Sequence, residues 1–437
     1  MKTYLVAPGV PHQEGAPQRR TPPIFPPLGL MTVAALTPPE HQVSLVDESV
    51  TPVDFNCEAD VVGLTATTAM ALRAYEIADR FRARGVKVVM GGMHASALPR
   101  EALQHVDAVV VGEAEELWPQ ALQDLEREAL RPVYRHQNWP DPAGVPPARR
   151  DLLNPHRYIA SETLQAARGC PFACSFCAVS SFFGRTYRTR PVEDVVAEAA
   201  SLRGRPMILV DDNIMGHPAY ATRLFERLAD LKKQFLGQAS TTMLKTPELI
   251  SKAAAAGCRG LFVGLESISP SILARLGKAF NVVTQYRELV KRLHDNGISI
   301  IGSFMFGLDG EDPDVFNRTM EFAEQADIDM ALFSIVTPLP GTRFYEELQR
   351  EGRVIERDWS KYDGTWCTFA PRGVTADRLQ ESLQKIYRDF YSWGSILKRT
   401  WHRFEPMVWL INSIYHRRVR TWLYRTRQGV PYSVAGS

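Results

Sequence analysis

The sequence predicts an α/β protein in which a doubly wound parallel sheet precedes a partial barrel of six βα units and a helical C-terminal region. Three observations carry this prediction. Short apolar runs alternate with helical patterns in two successive series along the 437 residues. A stretch rich in proline and arginine separates the two series. After residue 345 the strand patterns end and an aromatic-rich helical sequence follows.

The first series occupies residues 1–130 and predicts a sheet with helices on both faces. Its expected strands are Thr3–Ala7, Gln42–Asp47, Asp60–Thr65, Val86–Gly91 and Asp107–Val111. Such β-branched, near-continuous apolar runs are typical of parallel strands that are buried on both faces. The first run is too short for a signal peptide and is therefore expected to be a strand.

Glycine and polar residues lie at the carboxyl ends of these strands, where ligands of doubly wound sheets bind. Glycine allows close approach of the backbone to a ligand, and hydroxyl groups can hydrogen-bond to it. Taken alone, these loops also fit a sheet that binds nothing. The candidate ligand-binding residues are Thr65, Thr67, Gly91, Gly92, Gly112 and Glu113.

Residues 131–160 read as an extended linker because proline and arginine are frequent there. The second series, in residues 161–345, has too few βα units for a complete eight-stranded barrel. Barrel active sites lie at the C-terminal ends of the strands, so the polar residues at those ends are site candidates. The expected strands are Thr163–Ala167, Met207–Asp211, Gln238–Thr242, Gly260–Leu265, Ile298–Phe306 and Leu332–Thr337. Helical patterns lie between them, and the longest of these predicts a single helix over Ser271–Asn296.

Three cysteines, Cys170, Cys174 and Cys177, follow the first strand of this series within one short loop. Closely spaced thiolates are typical ligands of iron–sulfur clusters and of zinc. A structural zinc ion prefers four protein ligands, whereas a [4Fe–4S] cluster held by three cysteines leaves one iron open for another ligand. The spacing therefore favours a reactive iron–sulfur cluster.

Composition narrows the class of protein. The 45% hydrophobic and 23% charged residues are those of a globular protein, and a net charge of +2 gives no case for nucleic-acid binding. The other cysteines, Cys57, Cys258 and Cys367, are isolated, so a secreted disulfide framework is not expected. No run approaches the roughly 18 apolar residues of a membrane span. We therefore expect a cytoplasmic protein.

The Cys-x-x-x-Cys-x-x-Cys spacing, with Phe176 in its last gap, resembles the signature of the radical S-adenosylmethionine (SAM) enzymes. The segment Pro26–Leu30, the Gly91-Gly92 pair and Gly112-Glu113 resemble the cobalamin-binding domain that precedes many radical SAM barrels. One departure is that His12 lacks the preceding aspartate of the cobalt-ligating motif, because Val10 stands there. An unoriented histidine is a poor ligand, so a nitrogen of His12 is not expected on cobalt.

This resemblance implies roles for residues at the barrel's strand ends. Cys170, Cys174 and Cys177 would hold the [4Fe–4S] cluster as the catalytic centre. A carboxylate facing the SAM ammonium is physically sensible, although Glu266 could instead be a helix-capping acid. The residues implied in SAM binding are Phe176, Asp211, Asp212, Asn213, Glu266, Gly307, Pro338 and Pro340. The cobalamin-binding residues would be Thr65, Thr67, Gly91, Gly92, Gly112 and Glu113.

The implied activity is cleavage of SAM to a 5′-deoxyadenosyl radical, followed by methylation of an unactivated carbon from methylcobalamin. The substrate would be a small-molecule or lipid-like biosynthetic intermediate, with electrons from a flavodoxin- or ferredoxin-type donor. Two alternatives remain open. The same cofactors can serve ring formation or rearrangement without methyl transfer. A module that only binds cobalamin or transfers electrons would also carry these domains, although it need not keep the SAM residues.

Residues 346–437 are expected to cap the barrel and to shape the substrate pocket through Trp359, Tyr362 and Trp366. The segment Trp393–Arg427 mixes aromatic and basic residues. Such a segment can pack on its own barrel with its arginines reaching solvent, or it can make a peripheral contact with an anionic membrane. Pro406 and the shortness of the apolar run Met407–Ile411 favour packing.

Overall fold

The structure is a computed structural model that describes residues 1–9, 23–204, 206–403 and 405–427. His12 lies outside the described residues. The strands are β1 Lys2–Ala7, β2 Gln42–Asp47, β3 Val61–Thr65, β4 Lys87–Gly91, β5 Ala108–Val111, β6 Val133–Arg135, β7 Thr163–Leu164, β8 Ala167–Arg168, β9 Arg188–Thr189, β10 Met207–Leu209, β11 Phe235–Ala239, β12 Cys258–Glu266, β13 Ser299–Phe306 and β14 Met330–Ile335.

The helices alternate with these strands and continue beyond them. They are α1 Leu28–Leu36, α2 Ala71–Arg82, α3 Gly92–Ala97, α4 Pro99–Ala102, α5 Leu117–Glu126, α6 Ala178–Phe182, α7 Val192–Ser201, α8 Pro218–Ala229, α9 Glu248–Ala255, α10 Pro270–Arg275, α11 Tyr286–Asp295, α12 Val315–Gln325, α13 Arg343–Arg350, α14 Ala376–Phe390, α15 Trp393–Thr400 and α16 Pro406–Arg427.

The N-terminal sheet is parallel, with the strand order β2-β1-β3-β4-β5-β6. Each face is covered by its own apolar cluster. Helix α2 contributes Phe81 to one cluster, and helix α5 contributes Trp118 to the other. Burial on both faces explains why the strands are apolar throughout. The predicted doubly wound sheet is confirmed.

The sixth strand of this sheet was not predicted. Val133–Arg135 lie within the stretch expected to be a linker, yet they pair with β5. Tyr134 anchors the strand, because its ring is buried and its hydroxyl donates to Asp124 at 2.9 Å. This short run lies between prolines, so its composition indicates a linker rather than a strand.

The second sheet has the order β14-β13-β12-β11-β10-β7, with all neighbouring strands parallel. It forms the predicted partial barrel of six βα units. A separate two-stranded antiparallel ribbon, β8-β9, pairs Ala167 with Thr189 and Arg168 with Arg188. This ribbon leads directly into the cysteine loop.

One predicted helix is broken. The sequence pattern suggested a single helix over residues 271–296, but the structure has α10 and α11 with a loop between them. Gly277 ends α10 in a left-handed conformation, with φ of +73°. The loop carries Lys278 and Asn281 back to the end of β12, where both contact the backbone of Gly264.

The C-terminal helices complete the domain. Helix α14 packs on β14, and the hydroxyls of its Tyr387 and of the following Tyr391 accept from the β14 backbone nitrogens of Phe333 and Ala331. Helices α15 and α16 pack in turn on α14. In the described part of the chain, no helix is both long and apolar enough to cross a membrane.

Candidate active site

The cysteine loop begins at Gly169, which has φ of +82° and whose Cβ would lie 2.3 Å from the carbonyl oxygen of Thr186. Only glycine fits there without a shift of the backbone. The loop is then fixed from two sides. Ser175 N donates to the carbonyl of Leu276 at 2.9 Å, and the carbonyl of Ser175 accepts from Phe344 N at 3.0 Å. The backbone therefore sets the position of the cysteines.

Cys170, Cys174 and Cys177 are free thiols that line one cavity of about 240 Å³. Burial raises the pKa of all three thiols, that of Cys174 to about 12. No three His, Cys, Asp or Glu side chains converge as a single-ion site in the described residues. All three thiols line the same space, and three closely spaced thiolates suit an iron–sulfur cluster.

Four of the residues expected to bind SAM line the same cavity. They are Phe176, Asp212, Asn213 and Glu266. The structure thus brings the end of β10 and the end of β12 to the cysteine loop, as expected for neighbouring strand ends of a barrel. Carboxylates beside the space that a cluster would occupy are suited to bind an ammonium group.

The two adjacent aspartates differ in their surroundings. Asp211 is almost fully buried, and its carboxylate accepts from Ala166 N at 3.1 Å and from Ala167 N. Burial raises its pKa to about 7. Asp212 instead lines the cavity and accepts from Gly169 N at 3.2 Å. Asp211 therefore fastens the strand next to the cysteine loop, and Asp212 is the acid that faces the cavity.

Glu266 has a partner, Lys278, that was not predicted from the sequence. Lys278 Nζ lies 2.5 Å from Glu266 Oε1 and 2.9 Å from the carbonyl of Gly264, and both side chains are nearly buried. Glu266 also has φ of +64°, which is rare for a residue with a side chain. Lys278 lines the cysteine cavity too. Its position just after Gly277 could have been noticed only if the helix break had been predicted.

Three other SAM candidates, Gly307, Pro338 and Pro340, are outside the lining of the cysteine cavity. Gly307 is in a loop held by Glu311, whose Oε2 accepts from Gly307 N at 2.7 Å and from Leu308 N at 3.1 Å. Pro340 lines a larger neighbouring cavity, whereas Pro338 lines none of the three cavities described. The structure does not place these three residues in the cysteine cavity.

Two further cavities lie at the carboxyl edge of the N-terminal sheet. One, of about 290 Å³, has apolar walls that include Leu5, Val33 and Trp118. The other, of about 760 Å³, opens between the sheet and the barrel. All six residues expected to bind cobalamin line one or both cavities, which share Gly112, Glu113 and Phe182: Thr65, Thr67, Gly91, Gly92, Gly112 and Glu113.

The glycines keep this edge open. The Cβ of an alanine at position 92, where φ is +90°, would lie 2.6 Å from Thr65 Oγ1. At position 63 it would lie 2.6 Å from the side chain of Leu5 and 2.9 Å from that of Trp118. An apolar slot beside a wider polar-rimmed cavity fits a large cofactor that has a nucleotide tail and a planar ring.

The larger cavity has walls from both halves of the protein. Helix α6, which follows Cys177, and the loop Leu339–Gly341 form its barrel side, together with Tyr362. The consecutive residues Arg135–Trp139 also line it, although the sequence reading assigned them to a linker. A molecule in this cavity would lie between the cysteine loop and the edge of the N-terminal sheet.

Charged residues join the two halves beside this cavity. Glu113 accepts from Arg168 at 2.6 Å and from Arg188 at 2.5 Å, and Arg168 also meets Glu115 at 2.5 Å. All four side chains are largely buried. Both carboxylate oxygens of Glu113 accept hydrogen bonds from arginines. A ligand that contacts Glu113 would therefore share this carboxylate with Arg168 and Arg188.

Comparisons with known proteins agree with this geometry. Residues 164–323 match the radical SAM superfamily, and residues 20–122 match the B12 binding domain. The bacteriochlorophyllide d C-12(1)-methyltransferase of Chlorobaculum tepidum is 34% identical over 90% of this chain and 89% of that protein. The C-8(2)-methyltransferase of the same organism is 32% identical over 90% of each chain. The structure of OxsB, with aqua-cobalamin and SAM bound, aligns with a TM-score of 0.72 at 16% identity, covering 97% of this chain and 72% of that one.

Proposed function

This chain belongs to the cobalamin-dependent radical SAM enzymes, and we propose that it methylates an unactivated carbon of a tetrapyrrole. Membership of this family makes it an enzyme that uses a [4Fe–4S] cluster, SAM and cobalamin. The two relatives described above, which match it over nearly the whole chain, are methyltransferases that act on a bacteriochlorophyllide. Their names support the tetrapyrrole assignment.

One observation carries the proposal. The 760 Å³ cavity is bounded on one side by Thr67, Gly112 and Glu113 and on the other by the helix that follows Cys177. Cobalamin would occupy the sheet side of this cavity, and the reacting edge of a substrate would enter on the barrel side, beside the helix that follows Cys177. Its partly apolar and aromatic walls, which include Phe182 and Tyr362, suit a large planar molecule.

We assign the residues as follows. Cys170, Cys174 and Cys177 hold the cluster through three of its irons. SAM is oriented beside the cluster by Asp212, Asn213 and the ion pair of Glu266 with Lys278. Phe176 forms part of the cavity wall. When bound, the cofactors supply radical formation and a transferable methyl group, and the protein supplies position and exclusion of water.

The overall reaction balances only with external electrons. One hydrogen of the substrate is replaced by methyl, and two SAM molecules give 5′-deoxyadenosine with methionine and S-adenosylhomocysteine. This uses two electrons, which we assign to a flavodoxin- or ferredoxin-type donor. Such donors and the oxygen-sensitive cluster fit a cytoplasmic location.

The test uses reconstituted protein, a reductant, SAM with a deuterated methyl group and two candidate substrates. One is a bacteriochlorophyllide and the other is a polycyclic lipid. We expect a trideuteromethyl group on the tetrapyrrole, and none with a Cys170→Ala/Cys174→Ala/Cys177→Ala variant. A variant with Cys57 replaced by alanine serves as the matched control and should remain active. Methylation of the lipid alone would overturn the substrate class.

The alternative is ring formation on the same scaffold without methyl transfer. It predicts a product that carries no deuterium. Because this alternative uses the same cysteine cavity, the cluster variant would abolish it as well, and the label in the product is what separates the two.

A further inference from the structure

The last two helices that the structure describes, α15 and α16, form an antiparallel hairpin. At one end the ring of Trp393 lies 5.0 Å from that of His416. Nearer the turn, Arg399 Nη2 donates to Asn412 Oδ1 at 3.2 Å. The hairpin is therefore a defined structure with two faces rather than two separate helices.

Its inner face is fixed to the barrel domain. Tyr415 stacks on Tyr391 at 5.0 Å, and Trp422 meets Tyr387 edge-on at 5.6 Å. The buried guanidinium of Arg399 donates to the carbonyls of Ile328 and Asp329. These contacts agree with the packing expected for this segment, but they use only one face of each helix.

The outer face is apolar and exposed. Trp393 and Leu397 lie one turn apart on α15, and Trp401, the residue that follows the helix, is 74% exposed. On α16, the exposed residues Met407, Leu410 and Ile414 share one face. These six are nearly half of the thirteen large hydrophobic residues exposed in the described residues. Contiguous exposed apolar residues of this kind mark an interaction site.

The charge of the hairpin indicates which partner its outer face binds. Residues 393–427 contain eight Lys and Arg residues and one acid, Glu405, although the whole chain has a net charge of +2. Of the basic residues, Arg399 is buried, and Lys398 and Arg403 pair with Glu324 and Asp329 of the barrel domain. On α16 the exposed apolar face continues into Arg417, and Arg420 is exposed nearby. Apolar side chains beside exposed arginines fit the interface of an anionic bilayer, where tryptophan is favoured.

We propose that the outer face of this hairpin docks on the surface of a lipid bilayer that contains anionic lipids. The apolar residues enter the headgroup region, and Arg417 and Arg420 meet lipid phosphates. A second copy of this chain is a poorer occupant, because it would bring the same basic residues against each other. The inference is independent of the proposed methyl transfer.

The test is sedimentation of the full-length, cofactor-loaded protein with phosphatidylcholine vesicles, with and without phosphatidylglycerol. We expect binding to the anionic vesicles that weakens as salt is added. A Trp401→Ser/Met407→Ser/Leu410→Ser variant should bind at least about tenfold more weakly. An Arg417→Glu/Arg420→Glu variant should lose the preference for phosphatidylglycerol.

Ile159→Ser/Ile355→Ser is the matched control, since both residues are more than half exposed and lie outside the hairpin. It should bind as the unmodified protein does. Circular dichroism and iron content check that each variant is folded. Failure to bind anionic vesicles would overturn the proposal, as would a dimer that the hairpin variant dissociates. Neither result bears on methyl transfer, because the assay contains no substrate.

Discussion

Glu113 at the carboxyl edge of the N-terminal sheet lies 2.6 Å from Arg168, which stands two residues before Cys170. The same carboxylate meets Arg188, the residue paired with Arg168 in the β8-β9 ribbon. The loop expected to contact cobalamin is thus tied by charge to the strand that enters the cysteine loop. This link fixes the distance between the two parts of the site.

Replacing Glu113 with glutamine should therefore destabilise the protein strongly. The change leaves the largely buried Arg188 without a carboxylate partner, which costs about 3 kcal/mol. Denaturant unfolding measures the loss. Glu116→Gln is the matched control, because Glu116 is exposed and lies 3.7 Å from His136. Equal stability of the two variants would show that Glu113 does not hold the halves together.

Gly63→Ala should weaken cobalamin binding by about tenfold, which corresponds to about 1.4 kcal/mol. The new methyl group would press on Leu5 and Trp118, and both of these line the smaller cavity. Absorbance titration with cobalamin measures the affinity. Gly29 lines the same cavity, but its Cβ would have nothing within 4 Å. Gly29→Ala should therefore bind normally, and similar loss in both variants would contradict this use of the cavity.

Lys278→Met should weaken SAM binding by about tenfold, because Lys278 holds the Glu266 carboxylate in position at the cavity and the variant loses that contact. It should also make the reduction potential of the cluster more negative, because a positive charge beside the cysteines is lost. Equilibrium dialysis and a redox titration measure the two effects. The control is Lys291→Met, whose side chain is exposed. Unchanged affinity and potential would remove Lys278 from the site.

Glu311 should make stability depend on pH. Burial raises its pKa from 4.5 to about 7, so the folded protein keeps a proton that the unfolded chain releases between these values. The stability is full below about pH 4.5 and falls as the pH rises to 7, by at most about 3 kcal/mol. Glu311→Gln should remove this loss and be more stable at pH 8. The free energy of unfolding of both proteins is measured with urea across this pH range. If it changed with pH in the same way in both, the pH dependence would not come from Glu311.

Local sequence patterns identified much of the candidate site. The cysteine spacing, the acids after β10 and β12 and the glycines at the sheet edge are each set by a few neighbouring residues. Burial pattern was equally informative, since strands that are apolar throughout indicate a parallel sheet covered on both faces.

Pairings between distant residues were not predictable. Glu113 and Arg168 are 55 positions apart and belong to different halves of the protein. Lys278 reaches Glu266 only because Gly277 interrupts a pattern that otherwise reads as one helix. Arg135–Trp139 have the composition of a linker, yet they form a cavity wall because β6 adds to the sheet. In each case tertiary packing gives a residue a role that its neighbours in sequence do not indicate.

The most direct test of methyl transfer is to count both nucleoside products of one reaction. Reduced, cofactor-loaded protein is incubated with the tetrapyrrole substrate and methyl-labelled SAM, and 5′-deoxyadenosine and S-adenosylhomocysteine are quantified. The account predicts near-equal amounts of the two and label in the product. Product that carries no label, formed with 5′-deoxyadenosine alone, would contradict it.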